Sequence, residues 1–469
     1  MAALYVRNCM RTLLFVSLLS LVFSLDKGYA QRVQYKPESH HIFQFSSLLP
    51  SASCTSSGGI RKSSLEVVHK HGPCSSNAQA KPNALNYTKI LVGDQLRVDS
   101  IRSKISTSLG GSKVTLPAML GIPFDTVEYV VTVSIGSTQS NLTLIFDTGS
   151  DLTWTQCEPC SYCYPQSQPI FDPSHSSSYA NMPCTSPVCS ASGSAISTSC
   201  LGSTCYYQIS YGDSSSSSGN LATDTLTLTS MDVISNFQFG CGEINYGLFG
   251  EVAGLLGLAR DGLSIVGQTA SKYGQYFSYC LPSSSSSTGY LTFGNTSESP
   301  KSSTFTTMAT IPGSPFFYGI NIMEIAVGGT TLPIPSTVFT NAGAIIDSGT
   351  VITRLPLTAY NAMRTAFQKE MASYKRAQGV GILDTCYDLR NTQSVVVPKI
   401  GFTFSGGVFV DLDRSGILYT ISDAQVCLAF APNSDDTEIA IYGNVQQKTF
   451  EVIYDVAGGQ LGFAPNGCP

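Results

Sequence analysis

From residue 128 to the end, short apolar runs rich in β-branched and aromatic residues alternate with Gly, Ser and Asp. Residues 128–136 (Glu-Tyr-Val-Val-Thr-Val-Ser-Ile-Gly) and 141–146 (Asn-Leu-Thr-Leu-Ile-Phe) read as strands joined by the turn formers at 137–140. Similar runs at 221–229, 290–293, 394–398 and 450–454 carry the pattern to the end. One stretch, 357–374, has a helical period. Leu357, Tyr360, Met363, Phe367, Met371 and Tyr374 fall at spacings of three and four, behind Pro356 in a first-turn position. That stripe reads as core packing. The body is expected to be all-β with one well-marked helix. Residues 31–117 are poor in strand patterning, and the serine runs at 214–218 and 283–287 read as loop tips.

The first thirty residues carry a different pattern. Arg7 and Arg11 precede an apolar run at 12–25, and Gly28-Tyr-Ala30 supplies small residues for cleavage. This is expected to be a secretory signal peptide, too short to span a bilayer. No hydrophobic tail of the lipid-anchor type ends the sequence. Secretion without a membrane anchor is therefore expected. The 469 residues amount to about three domains at ~150 each. Charge is scarce, 12%, and the net charge is −5, which gives no general attraction to nucleic acid or anionic membrane. The charge is also unevenly spread. Residues 31–117 hold eleven Lys and Arg against four Asp and Glu, while residues 118–469 hold twelve against twenty-six. A removable propeptide lying on an acidic body accounts for this asymmetry, and a solvated basic tail is the plainer alternative. A nucleic-acid arm does not, because the basic residues are spread rather than clustered.

Fifteen cysteines point to an oxidising compartment. Cys9 lies in the signal segment, and Cys54 and Cys74 lie in the leader. Twelve remain as disulfide candidates: Cys157, Cys160, Cys163, Cys184, Cys189, Cys200, Cys205, Cys241, Cys280, Cys386, Cys427 and Cys468. Seven of them crowd into the Ser-rich insert 157–205, so if all pair, at least one reaches a distant partner. The spacing Cys157-x-x-Cys160-x-x-Cys163 is also that of a metal site. The body has one histidine, His175, and a secretory context favours disulfides, so no metal is expected. A Cys386–Cys427 bridge would close a loop of about 40 residues, worth about 4 kcal/mol on the chain-entropy account.

The strongest signal is an internal echo. Leu144-Ile-Phe-Asp147-Thr-Gly-Ser150 is matched by Ala344-Ile-Ile-Asp347-Ser-Gly-Thr350, 200 residues later. Downstream of each lies a second echo, Gly254-Leu-Leu-Gly257 and Ala440-Ile-Tyr-Gly443. Two carboxylates brought face to face cannot both ionise comfortably, so one keeps a proton. The charged one can take a proton from a water held between them, and the neutral one can polarise a scissile carbonyl. The hydroxyls of Thr148, Ser150, Ser348 and Thr350 can donate to the carboxylates or to the opposite loop. Each Gly is expected to permit a tight turn. Rival hydrolytic sites lack parts. His175 sits alone in a serine-rich loop, no His-Glu-x-x-His zinc helix exists, and there is no phosphate loop. No cofactor is expected.

These loops resemble those of the pepsin-like aspartic proteases, over residues 128–469. The resemblance implies a bilobal all-β fold with a central cleft, its N-terminal lobe at 118–310 and its C-terminal lobe at 311–469. It makes Asp147 and Asp347 the catalytic pair. Tyr211, in Tyr207-Gln-Ile-Ser-Tyr211-Gly-Asp213, becomes the flap tyrosine, and Trp154 its support. Residues 443–465 resemble the family's closing strands. More narrowly, the chain resembles the atypical plant branch related to nepenthesin, nucellin and the chloroplast-nucleoid protease. Leu65-Glu-Val-Val-His-Lys-His-Gly-Pro-Cys74, Phe239-Gly-Cys-Gly242, Phe277-Ser-Tyr-Cys-Leu281 and the Cys-rich insert carry that likeness. The branch implies six disulfides and no saposin-like insert. Asp-Ser-Gly in the second loop departs from Asp-Thr-Gly by one methyl and keeps the hydroxyl. The expected function is a secreted endopeptidase made as a zymogen and active in acid, a monomer acting on protein or peptide substrates and held by its own propeptide. The alternatives are a catalytically weak or inactive, inhibitor-like binding protein and a plastid nucleoid-associated protease. The binder class loses catalytic features that this chain keeps, and an acidic body is repelled by DNA. The apoplast is the expected destination, with vacuole or plastid as alternatives. Asn86, Asn141 and Asn295 fit the glycosylation acceptor pattern, with Asn141 close to a strand.

Overall fold

A computed structural model describes residues 39–56, 64–75, 87–108, 128–190, 196–211, 215–247, 249–295 and 302–468. The signal segment, Asn86 and the flap tip at 212–214 lie outside the described residues. In the body, the predicted strands form. β3 (Tyr129–Ile135) and β4 (Ser140–Asp147) pair antiparallel, Val131 opposite Leu144, and bury their apolar residues on both faces. β5 (Trp154–Gln156) follows, fully buried. Strands Ser216–Thr229 and Asp232–Tyr246 make a long hairpin whose first strand alternates inward and outward side chains along almost its whole length. In the C-terminal half, Ala344–Ile346, Ala440–Tyr442, Thr353–Leu355 and Phe430–Pro432 form a small sheet. The helix predicted over 357–374 spans Leu357–Glu370 and buries Ala359, Tyr360, Met363 and Phe367. Leu357, placed on the core stripe by its spacing, is 37% exposed. At the first helical position it faces out before the stripe is established.

The leader departs most from expectation. Its described residues are not the solvated tail of the plainer reading; they supply two strands and the longest helix among the described residues. β1 (His40–Gln44) pairs with Ser394–Pro398, with Ile42 opposite Val396. β2 (Ser64–His69) is inserted between Gly289–Phe293 and β3, with Leu65 opposite Leu291 and Val68 opposite Val130. Its Leu65, Val67 and His69 point inward, so alternation is present but confined to six residues. Helix α1 (Tyr87–Ser108) buries Ile90, Leu91, Val98, Ile101 and Ile105. Those positions do keep helical spacing, but Asp94 and Arg97 occupy the same face between them and break the apolar pattern. The serine runs are likewise not free tips where described. Ser217 is buried, donating to Asn245 Oδ1 at 2.7 Å. Ser286 is covered by the leader, whose Thr55 N–H donates to its carbonyl at 2.8 Å and Ser51 N–H to its hydroxyl at 2.9 Å. A serine run marks a loop only while its short hydroxyls lack partners, and here they have them.

Disulfides staple this frame. Cys157–Cys241, Cys160–Cys163, Cys184–Cys200, Cys189–Cys205, Cys280–Cys468 and Cys386–Cys427 account for the twelve body cysteines. Cys157 is the crowded cysteine with the distant partner. Cys54–Cys74 closes the leader on itself, next to β2. Among the described residues no helix is long and apolar enough to cross a membrane.

Candidate active site

The two echoes in the sequence are two copies of one local structure. Strand Gly254–Gly257 runs parallel to β4 with Gly257 opposite Asp147, and Ala440–Tyr442 runs parallel to Ala344–Ile346 with Tyr442 opposite Ile346. Each Asp thus leaves the end of a buried strand whose neighbour passes alongside. The glycine ending each partner motif touches the Asp loop. A Cβ on Gly257 would lie 2.2 Å from the Asp151 carbonyl, and one on Gly443 would lie 2.7 Å from that of Val351. The repeat continues further than the motif suggests: Gly257 N–H donates to Thr153 Oγ1 at 3.2 Å, and Gly443 N–H to Thr353 Oγ1 at 2.9 Å.

The loops lock to each other through their hydroxyls. Thr148 N–H donates to Ser348 Oγ at 3.1 Å, and Ser348 N–H donates to Thr148 Oγ1 at 2.8 Å. Ser150 donates its hydroxyl to Asp147, and Thr350 Oγ1 donates to Asp347 Oδ2 at 2.6 Å. Gly149 N–H adds a bond to Asp147 Oδ1 at 3.0 Å. Asn444, behind the second loop, donates to the Ser348 carbonyl at 3.1 Å. The loop glycines are required by space rather than by a left-handed backbone, which neither adopts. A Cβ on Gly149 would lie 2.7 Å from Asp347 Oδ1, and one on Gly349 would lie 2.5 Å from Asp147 Oδ1. The chain does turn at 148–149 and bend at 348–349, and the missing side chains leave room there for the opposite carboxylate and for Arg97.

Between them sits a residue of the leader. Arg97 Nη2 donates to Asp147 Oδ1 at 2.6 Å and to Asp347 Oδ1 at 3.0 Å, while its Nε donates to Asp347 Oδ2 at 3.0 Å. All three side chains are largely or fully buried. The two acids respond differently. Burial alone would raise both. At Asp147 the Arg97 charge, the Ser150 hydroxyl and the Gly149 amide outweigh it and hold the carboxyl below its usual range. At Asp347 burial wins, reinforced by the neighbouring Asp147 charge against the pull of Arg97, so its carboxyl is pushed up. Nearby Asp151 is pushed up to about 7 by burial and by the Asp261 charge, with Lys104 of α1 partly offsetting them.

Other turns of α1 are anchored as well. Asp94 accepts from Val351 N–H at 2.6 Å and Ile352 N–H at 3.1 Å, and pairs with Arg354 at 3.0 Å. Arg102 donates to Asn433 Oδ1 at 2.6 Å and pairs with Glu438 at 3.0 Å. Leader and body meet here through opposite charges, Arg97 and Arg102 in the sense of a basic leader on an acidic body and Asp94 with Arg354 in the reverse sense. The signal for Arg97 and Asp94 is that of charged positions on an otherwise apolar helical stripe.

The remaining candidates fall into two groups. Trp154 is fully buried and donates its Nε1 hydrogen to Tyr211 Oη at 2.7 Å, and both rings pack edge-on against Phe249. Away from this site, the His175 side chain is 75% exposed beside Asp172. Asn141 and Asn295 are exposed, and the Asn141 side-chain carbonyl accepts from Ser134 Oγ at 2.6 Å.

Comparison with known proteins agrees with this geometry. Residues 129–295 match the family described as xylanase inhibitor N-terminal, and residues 317–465 its C-terminal counterpart. An aspartyl protease family protein of Arabidopsis thaliana is 52% identical over 461 residues, covering 96% of this chain and 97% of that protein. The aspartic proteinase nepenthesin-2 of Nepenthes gracilis is 38% identical over 381 residues, covering 79% and 83%. Two solved structures, edgp and the basic 7S globulin of soybean, align at a TM-score of 0.57. Each alignment covers 72% of this chain and 91% of the other, at 21% and 17% identity, which speaks to the fold alone. The fold, the paired loops and these relatives converge, and the chain belongs to the pepsin-like aspartic proteases of the atypical plant branch, a family of aspartic-type endopeptidases.

Proposed function

We propose that this protein is a secreted zymogen in which Asp147 and Asp347 form the catalytic dyad and residues 31–117 are a removable leader that occupies it. One observation carries the proposal: a single leader guanidinium bonds both carboxylates at once. The dyad is assembled, and substrate is kept out.

With α1 gone, a water takes the place of the guanidinium. Asp147 keeps two donors from its own loop, Ser150 and Gly149, against one hydroxyl, Thr350, on Asp347. That imbalance makes Asp147 the ionised partner and Asp347 the holder of the shared proton. Asp147 takes a proton from water as the water oxygen attacks the scissile carbonyl carbon, and Asp347 gives its proton to the carbonyl oxygen. The neutral diol then collapses. Asp147 protonates the departing nitrogen, one diol hydroxyl returns a proton to Asp347, and the C–N bond breaks. Acid and amine leave, and the dyad again holds one proton. Tyr211, held by Trp154, would close over the bound peptide. Thr148 and Ser348 cross-link the two loops and keep the carboxylates in register. Because the dyad needs one shared proton, activity should peak on the acid side. Peptides and the protein's own leader are the expected partners, and the secretory route is the expected path.

Asp147→Asn and Asp347→Asn should each remove nearly all activity of the processed enzyme while leaving the melting temperature close to wild type. A folded Asp347→Asn enzyme with near wild-type turnover overturns the dyad assignment. Full-length protein incubated across a pH series, followed by mass spectrometry, should be quiet at pH 7.5 and lose its leader near residues 105–125 by pH 4. Full activity at pH 7.5 with the leader intact overturns the zymogen assignment.

A further inference from the structure

The same offset of 200 that relates Asp147 to Asp347 relates Trp154 to Arg354. Trp154 stands beside the first loop and holds a side chain that borders the cleft, Tyr211. Its counterpart is a fully buried arginine, and what it holds is Asp94 of the leader. Arg354 Nη1 is fixed by a bond to the Ile352 carbonyl at 2.7 Å, within the body. Among the described residues its Nη2 bonds only leader groups, the Asp94 carboxylate at 3.0 Å and Gln95 Oε1 at 3.3 Å. Among the described residues no body carboxylate pairs with it. Asp94 itself is fully buried and accepts, besides Arg354, the amide hydrogens of Val351 and Ile352. These are the first two residues after the loop Asp347-Ser-Gly-Thr350.

We propose that the leader's Asp94 is an internal stand-in for substrate. Once α1 leaves, Arg354 and the amides of Val351 and Ile352 form a subsite for an acidic side chain of the peptide. This rests on the displacement of the leader proposed above. The chemistry is specific. A carboxylate takes two convergent N–H donors and a guanidinium nitrogen at once, whereas a neutral or basic side chain leaves a buried arginine unpaired, which is costly. The location is fixed by the helix. Asp94 precedes Arg97 by three residues, about 4.5 Å along the axis. Because an extended peptide advances about 3.3 Å per residue, the acidic residue falls within about three positions of the scissile bond.

The test is cleavage of a peptide set by processed enzyme at about pH 5.5, where Glu side chains are ionised. Each position within three residues of a constant scissile bond carries Glu, Gln or Lys in turn. At one position Glu should exceed Gln by at least tenfold in kcat/KM, with Lys poorest. The Glu preference should shrink at pH 3, as the side chain gains its proton. In Arg354→Gln enzyme the Glu-to-Gln ratio should fall to within twofold of one. A wild-type enzyme with no acidic preference at any of these positions overturns the subsite, as does an Arg354→Gln enzyme that retains the preference. The wild-type ratios need no variant, so the test survives if Arg354→Gln fails to fold. The all-Gln reference peptide tests the underlying displacement separately. If intact full-length protein cleaves it as fast as processed enzyme, the zymogen assignment falls, while the Glu-to-Gln ratio still decides the subsite.

Discussion

Arg97→Met removes the charge that spans the dyad and keeps a side chain of similar length. Three charge-assisted hydrogen bonds are lost. Each would be worth about 1.5–3 kcal/mol net. Their sum overstates the effect, because both carboxylates are buried and the guanidinium was desolvated to reach them. Breaking a buried ion pair costs about 3–5 kcal/mol when the stranded charge has no escape. Here it has one, since the facing carboxylates can share a proton once the arginine is gone. About 3 kcal/mol is therefore the expected loss in leader docking, which raises the open fraction by about two orders of magnitude. The rest of the leader stays anchored through β1, β2, Asp94 and Arg102. The variant should leak rather than become constitutively open.

The assay is the initial rate on a quenched peptide by full-length protein, with mass spectrometry showing the leader intact over the same minutes. Arg97→Met should exceed wild type by roughly 100-fold, and Arg97→Lys should fall between them, because a point charge cannot reproduce the fork that grips two carboxylates. The design carries its own control. Arg97 belongs to the leader, so processed enzyme from wild type and variant is the same protein. If intact Arg97→Met is as quiet as intact wild type while the processed forms are equally active, Arg97 is not the plug.

Acid sensitivity should depend in part on His69. Burial pulls its imidazole below 6.5 against the raising influence of Glu128, with His71 and Lys448 adding to the lowering, and its Nδ1 accepts from His71 N–H at 3.2 Å. A released leader would bind the proton that the docked one refuses, so docking weakens as pH falls below about 6.5, by at most about 1.4 kcal/mol per pH unit. His69→Gln should move the pH midpoint of leader loss to lower pH, and an unchanged midpoint removes His69 from the trigger. Glu128 pulls the same way. Burial would raise it, but His69, Lys448 and Tyr419 bring it down to about 2, so its stabilising charge is lost progressively below about 4.5. At the flap, Tyr211→Phe leaves the buried Trp154 N–H without its acceptor, which should cost about 1–3 kcal/mol in stability. Turnover of the folded enzyme should fall as well, and a lower melting temperature with unchanged turnover would make Tyr211 a packing residue only.

The body is legible in the sequence because its signals are local and repeated. Strands β3 and β4 follow from β-branched runs around a turn, and the facing of Asp147 and Asp347 follows from two loops that carry the same residue types 200 positions apart. Parallel pairing of each Asp strand with its downstream echo follows the same duplication. The glycines of the loops stand out as well, and the turn they suggest forms, but without a left-handed backbone. Sequence cannot distinguish a glycine needed for its backbone from one needed for its missing Cβ, and the closeness of the opposite carboxylate and of Arg97 decides it. The disulfide partners are legible only as a constraint of parity, since Cys157 meets Cys241 across a sheet that the spacing does not reveal.

The leader hides its structure for a reason that bears on how the molecule works. An inhibitory helix needs an apolar stripe to dock and charged groups on that same stripe to engage a polar cleft. The two demands conflict, so the better such a helix fits its target, the less it looks amphipathic on its own. In α1 the conflict falls at Asp94 and Arg97, one turn apart, flanked by Ile90, Leu91, Val98 and Ile101. Both charges would be expensive in an ordinary core. They are tolerated because the body supplies complements, to which the proposals above give a second purpose: two facing carboxylates, and an arginine with two amides beside them. Local rules fail where function imposes a second requirement. A charged pair on a buried helical stripe, in a leader preceding a recognisable catalytic loop, is therefore a signature of self-occupation that can be sought in sequence alone.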